Sequence, residues 1–212
     1  MAEVFTMAKG QFIAFEGCDG SGKTTVSEAI YERMKKEGYD VIYTREPGGI
    51  EISEQIRRVI LDPKNTAMDP RTEALLYAAS RRQHLMEKVL PALERGTVVL
   101  SDRYVLSSLV YQGYARGIGI EEVLRINEFA IEHHMPDHTV FLDIEAKTGI
   151  DRLKNRRYLD RLDQEALSFH EKVFEGYKKI NEMYKDEIRT FDANKPADEV
   201  IEDVWEYLKS VL

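Results

Sequence analysis

At 212 residues, with 43% apolar and 32% charged side chains, the chain has the make-up of one soluble domain rather than of a disordered segment. The 38 acids against 30 bases leave a net charge of -8, which opposes DNA or RNA backbones, so any bound anion must be met by a local basic pocket. No apolar run approaches the ~20 residues of a membrane helix. Residues 1–10 lack a signal peptide's apolar core and read as a flexible amino-terminal extension, and the lone Cys18 fits a reducing cytoplasm.

A short apolar run at 11–16 reads as a strand and runs into a glycine-rich turn. Val26, Ile30 and Met34 then recur at helical spacing over 23–36, and Gly38 closes that helix. Residues 41–44 give a second strand before the turn Pro47-Gly48-Gly49. Helices are expected over 51–61 and, as one piece, over 71–93, followed by a third buried strand at 97–100. Residues 104–111 and 121–133 read as helical, 138–144 and 188–191 as the fourth and fifth strands, and 196–212 as a closing amphipathic helix. Strands alternating with helices predict one α/β domain over 1–212, a five-stranded parallel sheet flanked by helices on both faces, with a short helical lid at about 145–163. Ligands of such a sheet collect beyond the carboxyl ends of its strands. Pro136 between His134 and His138 breaks the helix that would align them on a metal, so the histidines read as surface residues.

Gly17-Cys18-Asp19-Gly20-Ser21-Gly22-Lys23-Thr24 satisfies G-x-x-x-x-G-K-[ST] between an expected strand and an expected helix. Its glycines let backbone amides wrap a phosphate chain, and the helix terminus adds its positive dipole end. Lys23 is expected on the β and γ phosphates of ATP and Thr24 on Mg2+. Asp102, at the end of the third strand, is placed to orient the same ion or its water shell, or to cap the segment that follows. Asn194-Lys195-Pro196-Ala197-Asp198 is one residue too long for a guanine-reading N-K-x-D and reads as a turn and helix start beside the adenine. Arg45 and Glu46 follow the second strand, Arg57 lies a helical turn or more into the next segment and Arg103 follows the third strand; arginines gathered around one crevice of an acidic chain suit a dianionic acceptor. Arg152, Arg156, Arg157 and Arg161 form a basic cluster in the lid region, suited to closing over ATP.

Phe15-Glu16-Gly17 with the loop, Thr44-Arg45-Glu46-Pro47-Gly48-Gly49, Leu76-Tyr77-Ala78-Ala79-Ser80-Arg81-Arg82, Asp102-Arg103-Tyr104 with Ser107-Ser108 and Tyr111-Gln112-Gly113, and Arg161-Leu162-Asp163-Gln164-Glu165 together resemble bacterial thymidylate kinase, a P-loop nucleoside monophosphate kinase. The resemblance covers nearly all of residues 11–212. It implies transfer of the γ-phosphoryl group of ATP to dTMP in a cytoplasmic homodimer, with a kinase for another monophosphate such as CMP or UMP, or a nucleotide-binding regulatory module, as alternatives. ATP would be held by the loop, by Thr25 behind it, and by Arg152 and Arg161. On the acceptor side it implies Arg57 and Arg103 on the dTMP phosphate, Tyr77 stacked on the base, Arg81 on its carbonyl edge, and Gln112 and Ser108 beside it. Tyr111 would crowd the sugar C2′ position, and Asp19 would orient the acceptor or help to place Arg45. Because the loop carries Gly20, the resemblance also implies that the lid supplies the catalytic arginine, Arg156 foremost. Two departures stand out: Tyr77 where Phe is common, and Leu106 where some relatives are polar or acidic.

Overall fold

A computed structural model describes residues 10–154 and 160–212. Arg156 and Arg157, and all but the last residue of the expected extension, lie outside the described residues. Gly10 itself is buried: its amide donates to the Leu93 carbonyl at 2.9 Å, and a Cβ there would collide with the Thr97 backbone oxygen at 2.1 Å.

The strands are β1 (Phe12–Glu16), β2 (Val41–Arg45), β3 (Val98–Asp102), β4 (His138–Asp143) and β5 (Ile188–Asp192), all parallel, in the order β2-β3-β1-β4-β5. The central pair, β1 and β3, is buried along its whole length, which is why FIAFE and VVLSD read as unbroken apolar runs with polar ends. Those polar ends, Glu16 and Asp102, face the same edge of the sheet, since Phe15 is in register with Asp102 and Arg45 with Asp102 on the other side.

Crossovers are made by α1 (Lys23–Lys36), α2 (Glu51–Leu61), α3 (Pro70–His84), α4 (Leu90–Glu94), α5 (Val105–Ser108), α6 (Ile120–Ile131), α7 (Ala146–Lys154), α8 (Leu167–Met183) and α9 (Ala197–Val211). The single helix expected over 71–93 is interrupted: between α3 and α4 lies a π-helical turn, Leu85–Val89, in which the Leu90 amide reaches back to the Leu85 carbonyl. Pro91 explains it. Its ring would strike the carbonyl four residues back in a regular helix, and the wider turn relieves that contact. A second π-helical segment, Leu109–Ala115, follows α5 and carries Tyr111 and Gln112. The surface reading of the histidines is also corrected: His84 is fully buried, and His134 and His138 are half-buried.

Candidate active site

Beyond the carboxyl ends of β1, β2 and β3 opens a cleft of about 590 Å³. The loop from Gly17 enters it through backbone angles only glycine adopts readily, with φ of 82° at Gly20 and 86° at Gly22, the residue that caps α1. Lys23 is buried and donates to the Cys18 carbonyl at 2.7 Å, so its ammonium is held inside the loop. Burial, then the nearby charge of Arg103, lowers its pKa to about 8; burial pushes the Cys18 thiol up to about 12, which leaves it inert. Thr24 donates its hydroxyl to the Asp102 carboxylate at 2.7 Å, and both line the cleft with Asp19, Ser21 and Thr25. Hydroxyl and carboxylate oxygens are the donors Mg2+ prefers. Among the described residues no group of three His, Cys, Asp or Glu side chains gathers as a metal cage, so an ion there would complete its shell with phosphate oxygens and water.

Arg103 lines the same cleft. Its backbone is held at φ 75°, a left-handed conformation costly for any residue but glycine, by its own amide on the Phe15 carbonyl and by Ser101 Oγ on its oxygen. Its guanidinium donates to Asp19, to Ser107 Oγ at 3.0 Å and to the Tyr177 hydroxyl at 3.1 Å, and lies over the Tyr111 ring, whose hydroxyl donates to Asp19 at 2.6 Å. Burial alone would depress its pKa; the Asp19 carboxylate outweighs that and holds it firmly charged. Below it the Glu16 carboxylate is wholly buried, accepting from the Tyr104 amide at 2.8 Å and Ser107 Oγ at 2.6 Å. Burial raises the Glu16 pKa.

The expected link between Asp19 and Arg45 is replaced. Arg45 is drawn to Glu54 at 2.9 Å and to the Pro47 carbonyl at 3.0 Å, because Glu54 on α2 also accepts the Gly49 amide and is fixed beside it. Arg57 donates to the same Pro47 carbonyl at 2.8 Å. Arg45, Arg57 and Arg103 all line the cleft.

One face of α3 carries Glu73, Tyr77 and Arg81, each four residues apart, and the last two line the cleft. Tyr77 is half-buried against the cleft, and burial raises its hydroxyl pKa. Arg81 is fully buried: Nε donates to Glu46 at 2.6 Å, Nη1 to Ser108 at 3.1 Å and to Asn127, and Nη2 to the Tyr104 carbonyl at 3.0 Å. Glu46 is committed on its other oxygen to His84 at 3.0 Å; burial would raise its pKa, but Arg81 and His84 hold it below the usual carboxylate range. Leu106 is buried in the apolar core, and so makes no polar contact.

The arginines expected in a lid separate. Arg152 on α7 donates to the Gly20 carbonyl at 3.0 Å and lines the cleft. Arg161, expected on ATP, is instead nearly buried against α2 and α3, donating to the Ile60 carbonyl at 2.7 Å and to Glu73, because a buried carboxylate is its nearest countercharge. Sequence reasoning missed Glu16, Glu73, His84 and Tyr177; the stripe at 73, 77, 81 and 84 on one helix face was the available signal for two of them.

The sequence profile of the thymidylate kinase family matches residues 15–204. The chain belongs to that family. A thymidylate kinase from Clostridium novyi is 57% identical over 96% of this chain and 100% of its own, and one from Geobacillus is 56% identical over 91% and 92%. The crystal structure of thymidylate kinase from Ehrlichia chaffeensis superposes with a TM-score of 0.76 at 29% identity, covering 95% of this chain and 99% of that one. Family members share this fold, and the cleft described above occupies its ligand edge.

Proposed function

We propose that the chain transfers the γ-phosphoryl group of ATP to dTMP, giving dTDP and ADP on the route to dTTP, with Mg2+ accompanying the nucleotide. The observation that carries this reading is that a glycine-lined anion cradle and Arg57 and Arg103 line one cleft. Two anionic ligands are thereby brought end to end, and alignment with charge neutralisation does most of the work such a transfer requires.

Lys23 and the loop amides take the donor phosphates, with Thr24 and Asp102 toward the metal, which neutralises phosphate charge when bound. Arg57 and Arg103 take the acceptor phosphate. Asp19 keeps Arg103 in position, while Tyr111, tied to Asp19, fills the space beside the sugar. The cleft also runs past Lys195, Ala197 and Val200, which support an adenine site at the start of α9. Tyr77 offers its ring to the base. All of the Arg81 nitrogens are engaged, yet a hydrogen on Nη2 is left for a carbonyl, and the buried Gln112 Oε1 has no partner among the described residues, as suits an acceptor for a ring N–H. That donor and acceptor pair matches the O4 and N3–H edge of thymine and opposes the amino and bare N3 edge of cytosine. The segment at about 145–163 acts as the lid, with Arg152 resting on the loop and Arg156 reserved for the migrating phosphoryl group.

The same reading includes a homodimer in the cytoplasm. Phe129 on α6 is 89% exposed, and Leu75 on α3, which packs against α6, and Met86 just after it are exposed as well, apolar side chains that a second copy would cover. Among the described residues no helix is long and apolar enough to cross a membrane. A coupled ADP-release assay with dTMP, dUMP, dCMP, UMP, AMP and GMP tests the activity: dTMP should lead, and ATP bound without transfer to any acceptor would overturn it in favour of a regulatory module.

A further inference from the structure

An amide side chain has two ends of almost the same shape and opposite hydrogen-bonding sense, so whichever partner holds one end decides what the other end can read. Gln112 is such a side chain. Fully buried on the π-helical segment Leu109–Ala115, it gives its Nε2 to Glu73 Oε1 at 2.8 Å, and its Oε1 is left without a partner among the described residues. A carboxylate carries no hydrogen, so the carbonyl end of Gln112 cannot face Glu73. The amide therefore has one available orientation, which leaves an acceptor at its other end, and Gln112 lines the cleft together with Arg81 and Ser108.

Glu73 is itself built to stay a carboxylate. It is fully buried in the first turns of α3, and it accepts from Arg116 at 3.1 Å and from Arg161 as well as from Gln112. Burial would raise its pKa, and these partners override that and lower it. Glu73 does not line the cleft. It acts only through its neighbour.

We propose that Glu73 is a positioning residue that sets pyrimidine selectivity, by locking Gln112 in the amide orientation that accepts from a ring N3–H and repels a bare ring nitrogen. The proposal rests on the dTMP reading above, and it makes Arg116 and Arg161 the supports of a selectivity device.

The test is Glu73→Gln, assayed for kcat/KM with dTMP and with dCMP. A neutral amide at 73 accepts or donates, so Gln112 becomes free to present either end, and the dTMP to dCMP ratio should fall by about tenfold or more. Loss of activity toward both acceptors by a common factor, with the ratio kept, would show a role in packing alone and overturn the proposal. Glu73→Gln leaves Arg116 and Arg161 short of charge and can fail to fold, so Gln112→Leu provides a second arm. There Glu73 keeps its arginines and the reading group is gone; an unchanged ratio in that folded variant overturns the proposal equally, and a collapsed ratio supports it. Failure of the underlying reading looks different, since the unsubstituted protein would then phosphorylate dTMP no better than the other acceptors.

Discussion

Lys23 is an ammonium held in a buried loop, and its titration is the most direct electrostatic consequence of that placement. Burial and Arg103 bring its pKa from 10.5 to about 8 in the free protein. In that window the unfolded chain keeps the proton and the native chain sheds it, so this group's contribution to stability grows as pH rises from about 8 toward 10.5. Binding behaves in the opposite sense, because the neutral amine has no charge to offer a phosphate. The expected outcome is a fall in kcat/KM for ATP as pH rises through about 8, while kcat stays flat, since bound phosphates restore the charge; pH profiles of both parameters check it.

Arg103 depends on residues far from it in sequence. Tyr177 on α8 offers its hydroxyl to Arg103 and to Ser107, and that hydroxyl also reaches Glu16 at 3.3 Å. Tyr177→Phe keeps the ring packed against Phe141 and removes only the oxygen. Losing a hydrogen bond to a charged group costs about 1.5–3 kcal/mol, so KM for dTMP should rise by about tenfold or more, with KM for ATP nearly fixed. Equal movement of both constants would mean that Tyr177 serves stability rather than the acceptor arginine.

At the scale of elements, α7 rests on the phosphate loop through two glycines. A Cβ on Gly20 would meet the Gly149 carbonyl at 2.5 Å, and one on Gly149 would meet Phe174 at 2.6 Å and the Asp19 carbonyl at 3.2 Å. Gly149→Ala should therefore lift α7 away from the loop and withdraw Arg152 from the Gly20 carbonyl. The helix gains about 1 kcal/mol of propensity from the alanine, against about 1–3 kcal/mol for the overpacked contact. Steady-state kinetics should show kcat/KM for ATP down by about tenfold, with acceptor KM unaffected.

The same elements mark what was readable in advance. The five strands, α1 and α2 were legible because apolar period and glycine position are local signals, and the loop was legible because phosphate binding needs backbone that only glycine provides. The break at Leu85–Val89 was not, since a helical period runs through Pro91 unchanged and only the geometry of its ring requires the wider turn. Nor were Glu16 and Glu73: each is a buried carboxylate whose partners lie up to 161 and 88 residues away, and no spacing rule connects them. The neighbours of Arg161 in sequence point to a lid, whereas its charge is satisfied across the fold by Glu73.

For the molecule as a whole, a net charge of -8 coexists with a cleft that gathers Lys23, Arg45, Arg57 and Arg103. On the homodimer reading proposed above, the exposed Phe129 of α6 belongs to the contact between two copies. Phe129→Asp should shift the sedimentation coefficient from that of a dimer to that of a monomer, and a wild-type protein that sediments as a monomer at micromolar concentration would remove the dimer from the account.

The claim on which everything else depends is that one continuous cleft holds donor and acceptor phosphates in line. Titration calorimetry with a single molecule in which adenosine and thymidine are joined through a chain of phosphates addresses it directly. Binding of one such molecule per chain, abolished by excess ATP and separately by excess dTMP, is the predicted result; competition with only one of the two nucleotides would place them in different sites and contradict it.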